Sequence, residues 1–346
     1  MQLTFRWYGP GDPVSPAYIR QIPRMTGIVS SLQDCAPGEV WPREHVRALR
    51  ETIEAAGLRF SVVESINIHE HIKLGRPDRD ELIARYGQSV EAVAAEGAPV
   101  ICYNFMPVFD WLRTDLAMPQ PDGSTALRFD QKDMETIDFS AGTQDLPGWH
   151  AAYTGEEIAA LRAAYAERSE EELWDNLAYF LERIVPVAER AGARLAIHPD
   201  DPPWSVAGFP RIITSGAALK RVTQLVDSEA NGVTLCTGSL GANPAEAARL
   251  PETIRSLAGR THFVHARNVT RLGDRSFRES VHPDGDVDMA AVMEALLEIG
   301  FDGPARPDHG RMIWGEEGLA GYGLYDRALG AAYMAGLWDA TVRRAA

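Results

Sequence analysis

Gly303-Pro304-Ala305-Arg306-Pro307-Asp308-His309-Gly310 is a short, glycine-bounded run that reads as a strand over 303–307 ending in two side chains of catalytic type. Three earlier runs have the same form, an apolar stretch closing on a residue able to bind a metal. They are Leu195-Ala196-Ile197-His198, Val233-Thr234-Leu235-Cys236 and His262-Phe263-Val264-His265. These runs predict strands at 193–198, 232–237 and 262–267, interleaved with helices at 214–226, 244–256 and 288–299. A strand followed by a helix, repeated, favours a parallel sheet with crossover helices.

The same rhythm runs upstream. Strands are expected at 3–8, 26–32, 60–65 and 100–105, with a short helix over 16–24 and longer ones over 42–56 and 79–95. Pro42 opens the first long helix and Gly57 ends it. Residues 107–150 break the pattern, being rich in Pro, Asp, Trp and Thr with no clear period. Helices follow at 155–166 and 170–191, so 107–168 reads as an insertion after strand four. The loop 271–286 also reads as irregular, and a last helix covers 325–344. Eight strands with outer helices make the α/β class, and specifically a (β/α)8 TIM barrel, the expectation for 1–346 as one domain. The competing doubly wound sheet would show a Gly-rich phosphate loop after strand one, and Gly9-Pro10-Gly11-Asp12 is not that motif.

Composition narrows the function. The 346 residues carry 34 basic and 49 acidic side chains, a net charge of −15, which argues against a general affinity for nucleic acid or an anionic membrane. The N-terminus has no basic leader before an apolar core, and no apolar run approaches the roughly 18 residues needed to span a bilayer. Cys35, Cys102 and Cys236 are odd in number and widely spaced, which suits a reduced compartment. The expectation is a soluble cytoplasmic protein.

In a barrel, active sites lie at the C-terminal ends of the strands, and neighbouring strands are about 4.8 Å apart. His198, Cys236, His265 and Asp308 end four successive predicted strands, so they can converge on one ion. Alone, each has a bland reading: an inert buried Cys, a hydrogen-bonded His, a turn-forming Asp. The joint pattern is what points to a metal site, and its thiolate leans toward Zn2+ over Mn2+ or Mg2+ by ligand softness. His309, next to Asp308, is an acid/base candidate. Gly321-Tyr322-Gly323-Leu324-Tyr325 brings a phenol nearby, with packing as the competing role. Arg267, Asn268, Asn67, His69 and Asn104 fall in strand-end loops and are candidates for binding a ligand.

Several motifs together carry a family likeness. His198-Pro199-Asp200-Asp201-Pro202-Pro203, Leu235-Cys236-Thr237-Gly238-Ser239, Val264-His265-Ala266-Arg267-Asn268 and Arg306-Pro307-Asp308-His309-Gly310 resemble the D-mannonate dehydratase family. So do Trp7-Tyr8-Gly9-Pro10-Gly11-Asp12, Glu64-Ser65-Ile66-Asn67-Ile68-His69 and Gly321-Tyr322-Gly323, in order along nearly the whole chain. The resemblance implies a xylose-isomerase-like barrel and a hydro-lyase (dehydratase) converting D-mannonate to 2-dehydro-3-deoxy-D-gluconate in hexuronate (glucuronate) catabolism. It implies a divalent ion, usually manganese (Mn2+), with Zn2+, Fe2+ or Co2+ as alternatives, held at positions matching His198, Cys236, His265 and Asp308. It matches the acid/base pair to His309 and Tyr322, with Tyr325 as the alternative, and implies a homo-oligomer, dimer or tetramer. A sugar isomerase on the same barrel is the nearest rival, and Cys236 speaks against it because those relatives use carboxylate-rich ligand sets. A metal-dependent nuclease is disfavoured by the negative charge. A non-catalytic sugar-acid binder would have no use for His309 and Tyr322.

Overall fold

The computed structural model describes residues 1–142 and 153–345. Among these, the strands are β1 (Gln2–Arg6), β2 (Met25–Ser30), β3 (Arg59–Glu64), β4 (Val100–Tyr103), β5 (Asp115–Pro119), β6 (Thr125–Asp130), β7 (Arg194–Ile197), β8 (Asn231–Cys236), β9 (Thr261–Ala266), β10 (Asn268–Gly273), β11 (Ser276–Ser280) and β12 (Pro304–Pro307). Eight of them close a parallel barrel in the order β1-β12-β9-β8-β7-β4-β3-β2. The strands are near-continuous apolar runs because both faces are covered. Every residue of β4, β8 and β9 is buried. Val29, Val62, Val100, Cys102, Ala196 and Phe263 pack into one cluster, separate from the larger core shared with the helices. Cys102 packs in this cluster with the Thr234 hydroxyl donating to its sulfur at 3.2 Å, and it also lies within metal-binding reach of Glu64 and His265.

The outer helices bury one stripe each. Arg43–Ala55 turns Val46, Leu49 and Ile53 inward. Glu170–Ala191 starts on Ser169, whose hydroxyl and the Glu172 carboxylate cap each other's backbone N–H groups, and stops at Gly192 with φ of 72°.

The structure corrects the reading of two stretches. Within 107–150, β5 and β6 form a hairpin, where no period had shown; residues 143–150 of that stretch lie outside the described residues. Within 271–286, β11 pairs with β10, and the four strands make an antiparallel sheet in the order β10-β11-β6-β5. The central pairing joins Phe277 to Phe129 and Ser276 to Asp130, partners far apart in sequence that no local window links. The β10–β11 turn uses Asp274-Arg275 with Arg275 at φ of 47°, a weak hairpin signal beside Asn-Gly.

His262 sits near the start of β9 at 4 % exposure, its Nδ1–H donating to the Leu195 carbonyl at 3.0 Å. Burial, only partly offset by that bond, holds its pKa down at about 4 against an ordinary 6.5. Between these values the unfolded chain binds the proton and the folded chain does not, so stability falls as pH drops through the window. At 1.36 kcal/mol per unit this is about 2 kcal/mol between pH 7.5 and 5. Urea unfolding of His262→Phe should show a pH slope flatter than wild type by that amount. Parallel slopes would remove His262 as the cause.

Candidate active site

The barrel order β7-β8-β9-β12 sets four candidate ligands side by side. His198 follows β7, Cys236 ends β8, His265 is next to last in β9 and Asp308 follows β12. Cys236 lies in register with His265, and His265 with Arg306. Donor atoms of His198, Cys236 and His265 all lie within 4.8 Å of one another. Asp308 Oδ2 is 3.7 Å from His265 Nδ1 and 4.0 Å from Cys236 Sγ.

The second nitrogen of each imidazole fixes what the first can do. A carbonyl only accepts, so His198 Nδ1–H donates to Pro199 O at 2.6 Å and Nε2 carries a lone pair. His265 Nε2 lies 3.2 Å from the Glu64 carboxylate, and with its proton on that side Nδ1 carries a lone pair as well. These two nitrogens stand 3.0 Å apart. Two lone pairs at that distance, beside a sulfur and a carboxylate, repel unless a cation or a proton lies between them.

Cys236 is the N-cap of a short helix, Thr237–Gly241, and its sulfur receives the Ser239 backbone N–H at 3.4 Å and hydroxyl at 3.2 Å. Burial alone would push its pKa up, but Arg267 and His198 outweigh it and hold the group well below the ordinary thiol range. Asp308 is likewise buried, and Arg306 above all, then His309 and His265, keep it ionised.

Beneath these groups runs a buried network of three arginines. Arg306 bridges Glu64 at 3.0 Å and Asp308 at 2.7 Å. Arg267 bridges Asp201 at 2.5 Å, Glu279 at 3.2 Å and Asp308 at 3.4 Å. Arg113 bridges Asp201 at 3.0 Å and Glu279 at 2.6 Å. Three guanidinium charges thus meet four carboxylates and the Cys236 thiolate, and a protonated His198 adds positive charge beside them. Two imidazoles, a thiolate and a carboxylate make a donor set that fits a divalent cation.

Of these residues, Glu64, His198, Asp201, His265, Arg267, Arg306 and Asp308 line one cavity. His309 and Tyr322 stand on its wall, both buried, with Nε2 and the phenol oxygen 2.7 Å apart. Trp111 lies against the His309 ring at 4.7 Å between centroids, and Tyr8 meets Tyr322 edge-on at 5.0 Å. The loop that returns Tyr322 depends on Gly321, at φ of 77°; a Cβ there would come within 2.4 Å of Leu127. Gly310 N–H to Gly321 O at 2.8 Å ties the loop to the end of β12. Tyr325 is elsewhere, 42 % exposed and packed on Trp314.

The five candidates for substrate contact divide. Arg267 and Asn104 line the cavity. Arg267 is wholly buried in the ion-pair network, and the Asn104 amide donates to Asp110 at 2.8 Å. Asn268 does not reach the cavity: its amide donates to the carbonyls of His282 and Val287, at 2.7 and 3.0 Å. Neighbours along an extended chain point to opposite sides, which separates Asn268 from Arg267. Asn67 and His69 line a separate small cavity, His69 capping the helix Glu70–Lys73. Sequence reasoning assigned no role to Glu64, Asp201, Arg113, Glu279, Arg306, Tyr8 or Trp111. Glu64 carried a usable signal, since it closes β3 as His265 nearly closes β9.

The closed parallel barrel with its polar strand ends is a fold of the xylose-isomerase-like type. The crystal structure of a xylose isomerase domain protein from Planctomyces limnophilus shares this fold, with a TM-score of 0.57 over 99% of this chain and 98% of that one at 14% identity. A sequence model of the family described as D-mannonate dehydratase (UxuA) matches residues 1–346. The mannonate dehydratase of Streptococcus uberis (strain ATCC BAA-854 / 0140J) is 53% identical over 348 residues, covering 100% of both chains. The crystal structure of mannonate dehydratase from Streptococcus suis serotype 2 superposes with a TM-score of 0.91 at 46% identity, covering 100% of this chain and 96% of that one. The chain belongs to the D-mannonate dehydratase family and is an enzyme of that activity, a carbon–oxygen hydro-lyase.

Proposed function

We propose that the chain converts D-mannonate to 2-dehydro-3-deoxy-D-gluconate and water, with a divalent cation held by His198, Cys236, His265 and Asp308. Hexuronate breakdown in the cytoplasm is the setting we infer for it. The observation that carries the reading is the cluster of His198, Cys236 and His265 donor atoms within 4.8 Å of one another beside Asp308, with His309 and Tyr322 lining the same cavity as His198, His265 and Asp308.

The reaction removes the C2 proton and the C3 hydroxyl of the sugar acid, and the enol so formed becomes the 2-keto acid. The C2 proton is weakly acidic because its neighbour is a carboxylate. A divalent ion, when bound, stabilises negative charge developing on substrate oxygens. His309 and Tyr322 share the proton work: one takes the proton from C2 and the other supplies a proton to the leaving hydroxide. Their 2.7 Å contact lets a proton pass between them, so the pair gains one proton from carbon and gives one to oxygen. Arg306 and Arg267 hold Asp308 ionised and oriented. Trp111 and Tyr8 line the cavity beside His309 and Tyr322.

Incubating the purified enzyme with D-mannonate and Mn2+ should yield a 2-keto acid, read by a carbonyl-specific colour reaction and mass spectrometry. Failure to form one from D-mannonate, or from its C2 epimer D-gluconate, would overturn the proposal.

A further inference from the structure

We propose that Glu279 is a positioning residue that fixes the tautomer of His309, so that Nε2 meets the substrate as a lone pair and acts as the base. The proposal rests on the reading of His309 as a proton-transfer residue and adds which of its nitrogens holds the proton. It also brings the outer sheet into the reaction, since Glu279 lies on β11 and not on the barrel.

Two side chains reach His309 Nδ1 and make opposite demands on it. Arg113 Nη2 lies 3.2 Å away and can only donate, which would require Nδ1 to accept. Glu279 Oε1 lies 3.3 Å away and can only accept while ionised, which requires Nδ1 to carry the proton. Proton bookkeeping on the guanidinium decides between them. Nη2 has two N–H bonds, one directed to Asp201 Oδ2 at 3.1 Å and the other to Glu279 Oε1 at 2.6 Å. No third hydrogen remains for His309. Nδ1–H therefore donates to Glu279, and Nε2 is left to accept the Tyr322 hydroxyl at 2.7 Å.

Glu279 is held ionised where it stands. Its side chain is wholly buried, with Arg113 Nε at 3.1 Å from Oε1 and Arg267 Nε at 3.2 Å from Oε2. The opposite tautomer would present N–H at Nε2, a group with no lone pair for a proton from carbon. Pairing of β11 with β6 on one side and β10 on the other sets the reach of Glu279, which gives the outer sheet a catalytic reason to be where it is.

Neutron diffraction from deuterium-exchanged crystals of the unmodified enzyme reads this directly. Deuterium on Nδ1 with none on Nε2 is expected; deuterium on Nε2, with or without one on Nδ1, overturns the assignment. In solution, Glu279→Gln should lower kcat by about a hundredfold while KM and bound divalent ion stay at wild-type values. A kcat within roughly threefold of wild type, or a loss traced to KM or to missing metal, also overturns it. His309→Asn separates the two readings. If that variant still turns over, the proton-transfer reading itself fails. If it is inactive while Glu279→Gln behaves as wild type, only the role of Glu279 fails.

Discussion

Chelating divalent ions from the enzyme is expected to abolish turnover of D-mannonate, and adding Mn2+ to restore it. Lewis-acid stabilisation of developing charge is worth several kcal/mol, on the order of a thousandfold in rate or more. The apoprotein should survive the treatment, because a proton can substitute for the ion between His198 Nε2 and His265 Nδ1 at 3.0 Å. In the ion-free site burial lowers the His198 pKa, but Cys236, then Glu64 and Asp308, more than offset it and push it up to about 9. A folded value above the ordinary 6.5 means this stabilisation is complete below pH 6.5 and lost as pH rises through 9. The chelated protein should therefore melt at lower temperature at pH 9 than at pH 6.5, and the ion-loaded protein should not share that loss. An add-back series of Mn2+, Zn2+, Fe2+ and Co2+ ranks the ions. Full activity in protein verified free of divalent ions would end the metal mechanism.

Most of the barrel was legible because its strands are local signals. The runs at 195–198, 233–236 and 262–265 are apolar, short and bounded by turns, and the observed β7, β8 and β9 cover nearly the same residues. The outer sheet was not legible, because its central pair, Phe129 with Phe277, exists only through distant pairing. For the site, position at a strand end pointed to His198, Cys236, His265 and Asp308, which the barrel sets side by side. It was not enough for Glu279 or Arg113, which enter from the outer sheet and from the stretch between β4 and β5. Side-chain direction was the other gap. Arg267 and Asn268 are adjacent and look equivalent in sequence, yet one lies under the cavity and the other bonds to loop carbonyls. The ion-pair network under the cavity follows from both facts, since its members come from six separate strands and loops and meet only when the barrel and the outer sheet are both in place.

Replacing His309 by Asn should cut kcat by a factor of about 10² to 10⁴, the usual range for a lost general acid or base. The substitution is chosen for what it retains. An Asn amide ends near the position of Nδ1, so it keeps a donor toward Glu279, which His309 meets at 3.3 Å, and deletes Nε2. The neighbouring Asp308 keeps Arg306 at 2.7 Å and Arg267 at 3.4 Å, so divalent ion should remain bound at wild-type stoichiometry. Tyr322→Phe is the matching change on the other side of the 2.7 Å contact and should cost a comparable factor. Because the two groups pass one proton between them, the double variant should be little worse than either single one. Loss of metal from His309→Asn would make His309 a ligand. Additive losses in the double variant would mean that the two side chains work separately, and the shared proton would have to be given up.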